Sequence, residues 1–207
     1  RRSPMYAHPI DARGVGRRWH AAWVRCTLAP RFRPVPLPMT DNSITAEEFR
    51  RACGLWATGV SIGSTTDLQG TPYGLTMSAV SSLSLEPSML LICVDKGSDT
   101  LAPLLESRVF CVNILSREQQ ALSNRFAKKG QDKFDGVSYS ITASGAPVLA
   151  ETLVSVVCAL REVYDGGDHK ICCGEVETIV ANPSVEVEPL LYYGGRYGVL
   201  DKARAQS

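Results

Sequence analysis

Histidine is scarce in this chain. Only His8, His20 and His169 occur in 207 residues, and only His169 lies beyond residue 39. No Cys/His spacing suits a zinc site, so no bound metal is expected. Long apolar runs are missing as well, and none could span a bilayer. The seven cysteines (Cys26, Cys53, Cys93, Cys111, Cys158, Cys172, Cys173) are odd in number and contain no C-x-x-C pair. Five of them, from Cys93 to Cys173, sit in apolar strand-like runs. They read as small core residues in a reducing cytosol, not as a disulfide framework. Cys172 and Cys173 are adjacent, and neighbours on a strand point to opposite faces, which disfavours a redox pair.

A surplus of charge is also absent, since the net charge is +1. The balance hides an asymmetry. Residues 1–39 hold eight arginines and one acid, Asp11, which leaves 14 basic against 20 acidic residues in the remainder. So acidic a globular part is a poor nucleic-acid binder. Residues 1–39 lack hydrophobic periodicity and carry Pro30, Pro34, Pro36 and Pro38. Such a segment fits a transit peptide, a basic arm anchored by Trp19 and Trp23, or a tail that is disordered or non-native. The last reading is preferred, because Met39 and the residues after it look like the start of a small domain. Residues 40–207 are then the domain.

What is present is a patterned β protein. Gly74 to Pro87 alternates at period two. One face carries Thr76, Ser78, Ser82 and Ser84. The other carries Leu75, Met77, Ala79, Leu83 and Leu85, and Val80 is the one intruder. A polar face of small neutral hydroxyls suits a flat, mostly uncharged ligand that approaches the backbone closely. It equally suits a plain barrel rim.

Elsewhere, Thr45-Ala-Glu-Glu48 is a capping box that opens a helix to about Trp56. Phe49, Ala52, Cys53 and Trp56 give that helix one apolar stripe, expected to be buried. Gly59–Thr66 reads as a strand, joined by the Asp67–Gly70 turn to the hydroxyl strand in a hairpin. Met89–Val94 is a core strand, Ser98 can cap a helix to about Ser107, and Val109–Leu115 is a strand. Ser116–Gln119 is a second capping box, for a helix to about Ala127. Strands are expected at 137–142, 153–164, 170–180 and 190–200. Helices do not alternate with strands, so the fold class is mainly β, a largely antiparallel barrel with a few peripheral helices.

Four constellations can carry chemistry. Beside the hydroxyl strand, Asp95–Thr100 offers a helix start for a phosphate, with Asp99 capping the helix. Arg125, followed by Phe126, can close over the same ligand. Tyr164-Asp-Gly-Gly-Asp-His-Lys170 is a turn that presents Asp168 and His169. Tyr192-Tyr-Gly-Gly-Arg-Tyr197 sets a cation among tyrosines. Each has a plainer alternative: a capped helix, a solvated arginine, a structural histidine and a closing strand.

Taken in order, these pieces resemble the flavin reductase family with the FMN-binding split-barrel fold, the small components of two-component flavin-dependent monooxygenases. The likeness rests on Phe49–Ala52 with Trp56–Val60, Gly74–Ser78 with Ser82–Pro87, Phe110–Leu115, Arg125–Ala127, Gly145–Leu149, Gly167–His169 with Gly174–Val176, and Pro189–Tyr197. It implies NAD(P)H-dependent reduction of FMN or FAD. It places the flavin ring on Gly74, Leu75, Thr76, Met77 and Ser78, with Ile92, Cys93 and Val94 beneath it. Ser98, Asp99 and Thr100 would take the phosphate, with Arg125 and Phe126 nearby. Asp168 and His169 would lie at the nicotinamide, His169 as the likeliest reacting-site group, and Gly195, Arg196 and Tyr197 would contact the pyridine nucleotide. Lys96 and Gly97 depart from the usual pattern and leave FMN versus FAD open, while Met77 and Val80 bear on how tightly flavin is held. The resemblance further implies a cytoplasmic homodimer and a separate oxygenase partner. Alternatives are a non-catalytic FMN-binding electron carrier or a haem- or small-ligand-binding split barrel. A lone domain histidine in a turn argues against haem.

Overall fold

The computed structural model describes residues 44–130, 132–183 and 188–200. The Arg-rich segment 1–39 lies outside them. Thr45 opens α1 (Ala46–Gly54) through the expected capping box. Its Oγ1 accepts the Glu48 N–H at 3.2 Å, and the Glu48 carboxylate accepts the Thr45 N–H at 2.9 Å. The chain then runs through β1 (Thr58–Gly59), β2 (Ser61–Thr66), β3 (Pro72–Met77), β4 (Val80–Leu85) and β5 (Ser88–Asp95). Next come α2 (Leu101–Ser107), β6 (Val109–Ile114), a 3₁₀ turn at Arg117–Gln119 that runs into α3 (Gln120–Phe126), and a second 3₁₀ turn at Asp132–Phe134. The remaining strands are β7 (Tyr139–Ile141), β8 (Pro147–Leu149), β9 (Val154–Gly166), β10 (His169–Ala181), β11 (Leu191–Tyr193) and β12 (Arg196–Gly198).

Seven strands form one antiparallel sheet in the order β3-β2-β6-β9-β10-β5-β4. β1-β11-β12 and β7-β8 form two small additional sheets. The stretch Gly74–Pro87 is therefore not one strand. It leaves one edge of the large sheet as β3 and joins the other edge as β4, with only Ser78 and Ala79 between. Seven antiparallel strands put the first and last in the same direction, so a single extended run can serve as both edges. The facing flips across the break. Met77 points into the core, and Val80, three residues on, packs against the same cluster. This explains the apparent intruder. Leu83 and Leu85, on the apolar face of the alternation, are exposed.

Three further expectations need correction. The α1 stripe is not buried in a single chain: Phe49 is 63% and Trp56 78% exposed. Ser98 does not cap α2, because Thr100 occupies the cap position and the helix starts at Leu101. Residues 190–200 form a hairpin. Gly194 and Gly195 at φ 59° and 78° make a left-handed turn that glycine tolerates without strain. β8 went unanticipated because three residues give too short a pattern.

The barrel interior is held by Ile92, Val94, Leu104, Phe110, Val112 and Leu160. A second cluster joins Ile62, Leu115, Phe126, Phe134, Leu149 and Leu190. Cys111, Cys158, Cys172 and Cys173 are buried free thiols. Burial pushes Cys111 and Cys158 up to about 12 and Cys172 up to about 11. These thiols stay protonated and unreactive near neutral pH.

One polar hub crosses this core. Asn113, fully buried on β6, donates to Ile62 O at 3.1 Å and Ser64 Oγ at 2.8 Å. Its Oδ1 accepts the Leu149 N–H at 2.9 Å and the Ser155 hydroxyl at 2.8 Å. Four strands thus meet at one side chain. Asn113→Ala orphans several buried donors and acceptors and is expected to lower stability by about 3 kcal/mol in urea unfolding. A loss under about 1 kcal/mol would show that the hub is dispensable.

Candidate active site

Where the chain crosses from β3 toward β4, a cavity of about 260 Å³ opens between β3, α3 and the C-terminal hairpin. Thr76, Met77, Ser78, Ser123, Tyr192 and Tyr197 line it. The Thr76 hydroxyl donates to Ser123 O at 2.6 Å, which clamps β3 to α3. The Tyr197 hydroxyl donates to Asn124 Oδ1 at 3.0 Å and lies 2.9 Å from Ser123 Oγ. This fastens the hairpin to the same helix. The Tyr192 and Tyr197 rings meet edge to face at 5.4 Å. Ser78 is exposed at the cavity edge. The lining is small, uncharged and partly aromatic, which suits a flat polar ring.

β5 leads away from this cavity. The Cys93 N–H donates to Ala79 O at 3.1 Å, and two residues further on, about 7 Å along the strand, Asp95 pairs with His169. The β9–β10 tip therefore stands beside the Asp95–Thr100 turn. Gly167, at φ 71°, takes the first position of its two-residue bend. The Lys96 N–H donates to Asp168 O at 2.9 Å, and Lys96 and Lys170 both hold Asp165, at 2.8 and 2.9 Å. Those two hydrogen-bonded lysines bring the Asp165 carboxyl down to about 2. Its ion pairs persist through the mildly acidic range and fade only as pH falls toward 2. His169 Nδ1 lies 2.7 Å from Asp168 Oδ1, and that contact lowers the Asp168 carboxyl below its usual range. The imidazole is fixed by a carboxylate yet 40% exposed.

The start of α2 is not an array of free amides. Gly97 and Ser98 donate to Asp95, Thr100 donates to Ser98 Oγ, and Leu101 donates to Ser98 O. Thr100 is fully buried, and its hydroxyl donates to Asp99. Asp99 does not cap the helix. Its Oδ1 accepts from Lys133 Nζ at 3.1 Å and its Oδ2 from the Gly130 N–H at 3.2 Å.

The other singled-out residues divide clearly. Leu75 packs against the core and leaves only its backbone toward the seam, as do the buried Ile92 and Val94, while Cys93 is half-buried. Phe126 is buried edge to face on Phe134 at 4.9 Å and lies over Gly74. Arg125 sits on the opposite helix face from Ser123 and Ala127, since i and i+4 share a face and i+2 does not. It donates to Asp135 O at 2.6 Å and lines a separate cavity with Leu122, Gly136 and Glu151. Gly195 and Arg196 are exposed at the β11–β12 turn. Lys133 escaped the sequence reading because it lies in a charged stretch with no hydrophobic period.

An antiparallel sheet rolled to an open seam, with a hydroxyl-lined cavity at that seam, defines a split β-barrel. Among such proteins, the chain belongs to the flavin reductase like domain family, whose profile matches residues 53–201. It is 38% identical over 162 residues to the flavin-dependent monooxygenase reductase subunit HsaB of Rhodococcus jostii, covering 76% of this chain and 82% of that one. A nitrilotriacetate monooxygenase component B homologue from Mycobacterium thermoresistibile superposes with a TM-score of 0.73 at 35% identity, covering 76% of this chain and 88% of that one. The NADH:FAD oxidoreductase SgcE6 of Streptomyces globisporus, solved with NAD and FAD fragments, gives a TM-score of 0.70 at 33% identity over 76% and 94% of the two chains.

A Cβ at position 74 would lie 2.8 Å from the Phe126 ring and 3.2 Å from Gly63 O. Gly74→Ala must displace the buried ring or the strand, and is expected to cost about 1–3 kcal/mol. A melting temperature equal to wild type would show that Gly74 is not a packing requirement.

Proposed function

We propose that this protein is an NAD(P)H:flavin oxidoreductase that reduces free FMN or FAD and passes the reduced flavin to a separate flavin-dependent monooxygenase. One observation carries the reading. In a flavin reductase family barrel, the uncharged cavity at Thr76–Ser78 lies two β5 residues from the turn that presents His169. Thr76, Met77, Ser78 and Tyr197 would hold the flavin ring, and the Ser98–Thr100 turn would take its phosphate. The residues fit a flavin there, since the ring meets hydroxyls and backbone and no charged side chain lines the cavity.

When both are bound, nicotinamide C4 passes a hydride to flavin N5, chemistry that belongs to the two cofactors. The chain's own work is to hold the rings together and shed water. Asp168 orients the His169 imidazole, and His169 steadies the nicotinamide carboxamide. Arg196 and Gly195, on the exposed hairpin turn, meet the rest of the pyridine nucleotide.

NADH oxidation at 340 nm should be rapid only when free FMN, FAD or riboflavin is added. A yellow protein that leaves NADH untouched would overturn the reading in favour of an electron carrier, and a Soret band would point to haem. His169→Ala is expected to raise KM for NADH several-fold more than it lowers kcat. Unchanged constants would remove His169 from the site.

We further infer a cytoplasmic homodimer. Among the described residues no helix is long and apolar enough to cross a membrane, and the buried thiols suit a reducing compartment. Phe49, Leu55 and Trp56 form an uncovered apolar stripe that a second copy would cover. Light scattering should give twice the chain mass, and Trp56→Asp should shift it toward one. A wild-type monomer would overturn the dimer.

A further inference from the structure

Among the described residues, Lys133 is the only charged side chain that is buried, at 8% exposure. An ammonium taken out of water is costly unless it is paired and hydrogen-bonded. Lys133 is both. Its Nζ donates to Gly74 O at 3.0 Å and to Asp99 Oδ1 at 3.1 Å. Those acceptors belong to different parts of the fold. Gly74 lies on edge strand β3, two residues before the cavity-lining Thr76. Asp99 lies between Ser98 and Thr100, in the turn beside the β9–β10 tip.

The charges around that turn are evenly matched. Lys96 and Lys170 hold Asp165, and Lys133 holds Asp99. Asp95 accepts from the Gly97 amide, and Asp168 sits against His169. Lys129 Nζ reaches to 3.9 Å of where a Cβ on Gly97 would be. Four lysines therefore stand against four aspartates. Without Lys133 the turn carries one uncompensated carboxylate, next to the place where a flavin phosphate would arrive. Burial pushes the Asp99 carboxyl up, yet the Lys133 and Gly130 hydrogen bonds outweigh it and keep the group ionised at neutral pH. Its charge must be met by a cation. An ammonium has three donors, and Lys133 commits two of them here.

We propose that Lys133 is a positioning residue that sets the preference for phosphorylated flavins over riboflavin, by neutralising Asp99 while it pins Gly74 to the same turn. The proposal rests on the flavin reading above. It predicts an effect that depends on the ligand's phosphate, which a purely structural lysine would not produce.

The test compares FMN with riboflavin in two ways: by KM in NADH-driven turnover and by Kd from flavin fluorescence titration without NADH. The proteins are wild type, Lys133→Met, Lys133→Arg, Asp99→Asn and the Lys133→Met/Asp99→Asn double variant. Lys133→Met should raise KM and Kd for FMN about tenfold more than for riboflavin, the size of one charge contact in a water-like surrounding. The double variant should recover most of that loss, and Lys133→Arg should keep the FMN preference. Equal weakening of both flavins, or no recovery in the double variant, overturns the proposal. If circular dichroism shows Lys133→Met unfolded, Asp99→Asn decides. It should shift the FMN-to-riboflavin ratio at least about threefold in favour of FMN, and an unchanged ratio overturns the proposal. Intact binding ratios without turnover would instead refute the reductase reading alone.

Discussion

Ser78 and Ala79 are all that separates a strand on one edge of the seven-stranded sheet from a strand on the other. Seven strands laid flat would put those edges about 29 Å apart. Three peptide links from Met77 to Val80 reach at most about 11 Å. The sheet has no choice but to roll until its edges nearly meet. The seam is then set by covalent geometry, and the Val80 N–H to Ser78 O and Cys93 N–H to Ala79 O bonds hold it in place. Two small residues at the seam leave backbone open beside the cavity, so the constraint that shapes the barrel also creates its candidate site.

What surrounds the seam is fastened from three directions, and α3 takes part in each. Ser123 meets Thr76 and Tyr197, Phe126 lies over Gly74, and Arg125 reaches the carbonyl of Asp135. A seven-residue helix too short to be stable alone thus gains its order from tertiary contacts. It gives the cavity one wall and the core one plug. This division explains why Phe126 and Arg125, consecutive in sequence, belong to different environments. The first acts on the site only through Gly74, and the second faces away from it.

Local chemistry was legible in the sequence and long-range chemistry was not. Both capping boxes form where Thr45-x-x-Glu48 and Ser116-x-x-Gln119 announce them, because each bond closes within three residues. The hairpin at Asp67–Gly70 and the core strand at 89–94 followed from turn residues and apolar runs. The family likeness carried the fold, and the profile match at 53–201 agrees with it. Val80 was visible as a flaw in the alternation, but period two alone cannot say that a strand has changed edges. The α1 stripe is legible as apolar, yet it stays uncovered within one chain, since amphipathicity states what a helix wants to cover and not which chain covers it. Lys133 left no trace at all. A buried lysine is specified by an acceptor 34 residues away and another 59 away, and no sequence window contains them.

The turn at 95–101 bears on how strongly a flavin can be held. Its amides at Gly97, Ser98, Thr100 and Leu101 are already bonded within the turn, and the Thr100 hydroxyl is spent on Asp99. A phosphate arriving at those four amides exchanges hydrogen bonds instead of filling vacant donors. Each exchange returns about 1 kcal/mol or less, far below the gain from a bare, preorganised cradle. With the flavin placed as proposed, affinity would rest on the ring at Thr76–Ser78 and on the compensated charge at Asp99. Such a site would hold a flavin long enough for hydride transfer and let it go afterwards. A reductase whose product is consumed by another protein requires that balance, whereas a permanent flavoprotein would be expected to keep those amides free.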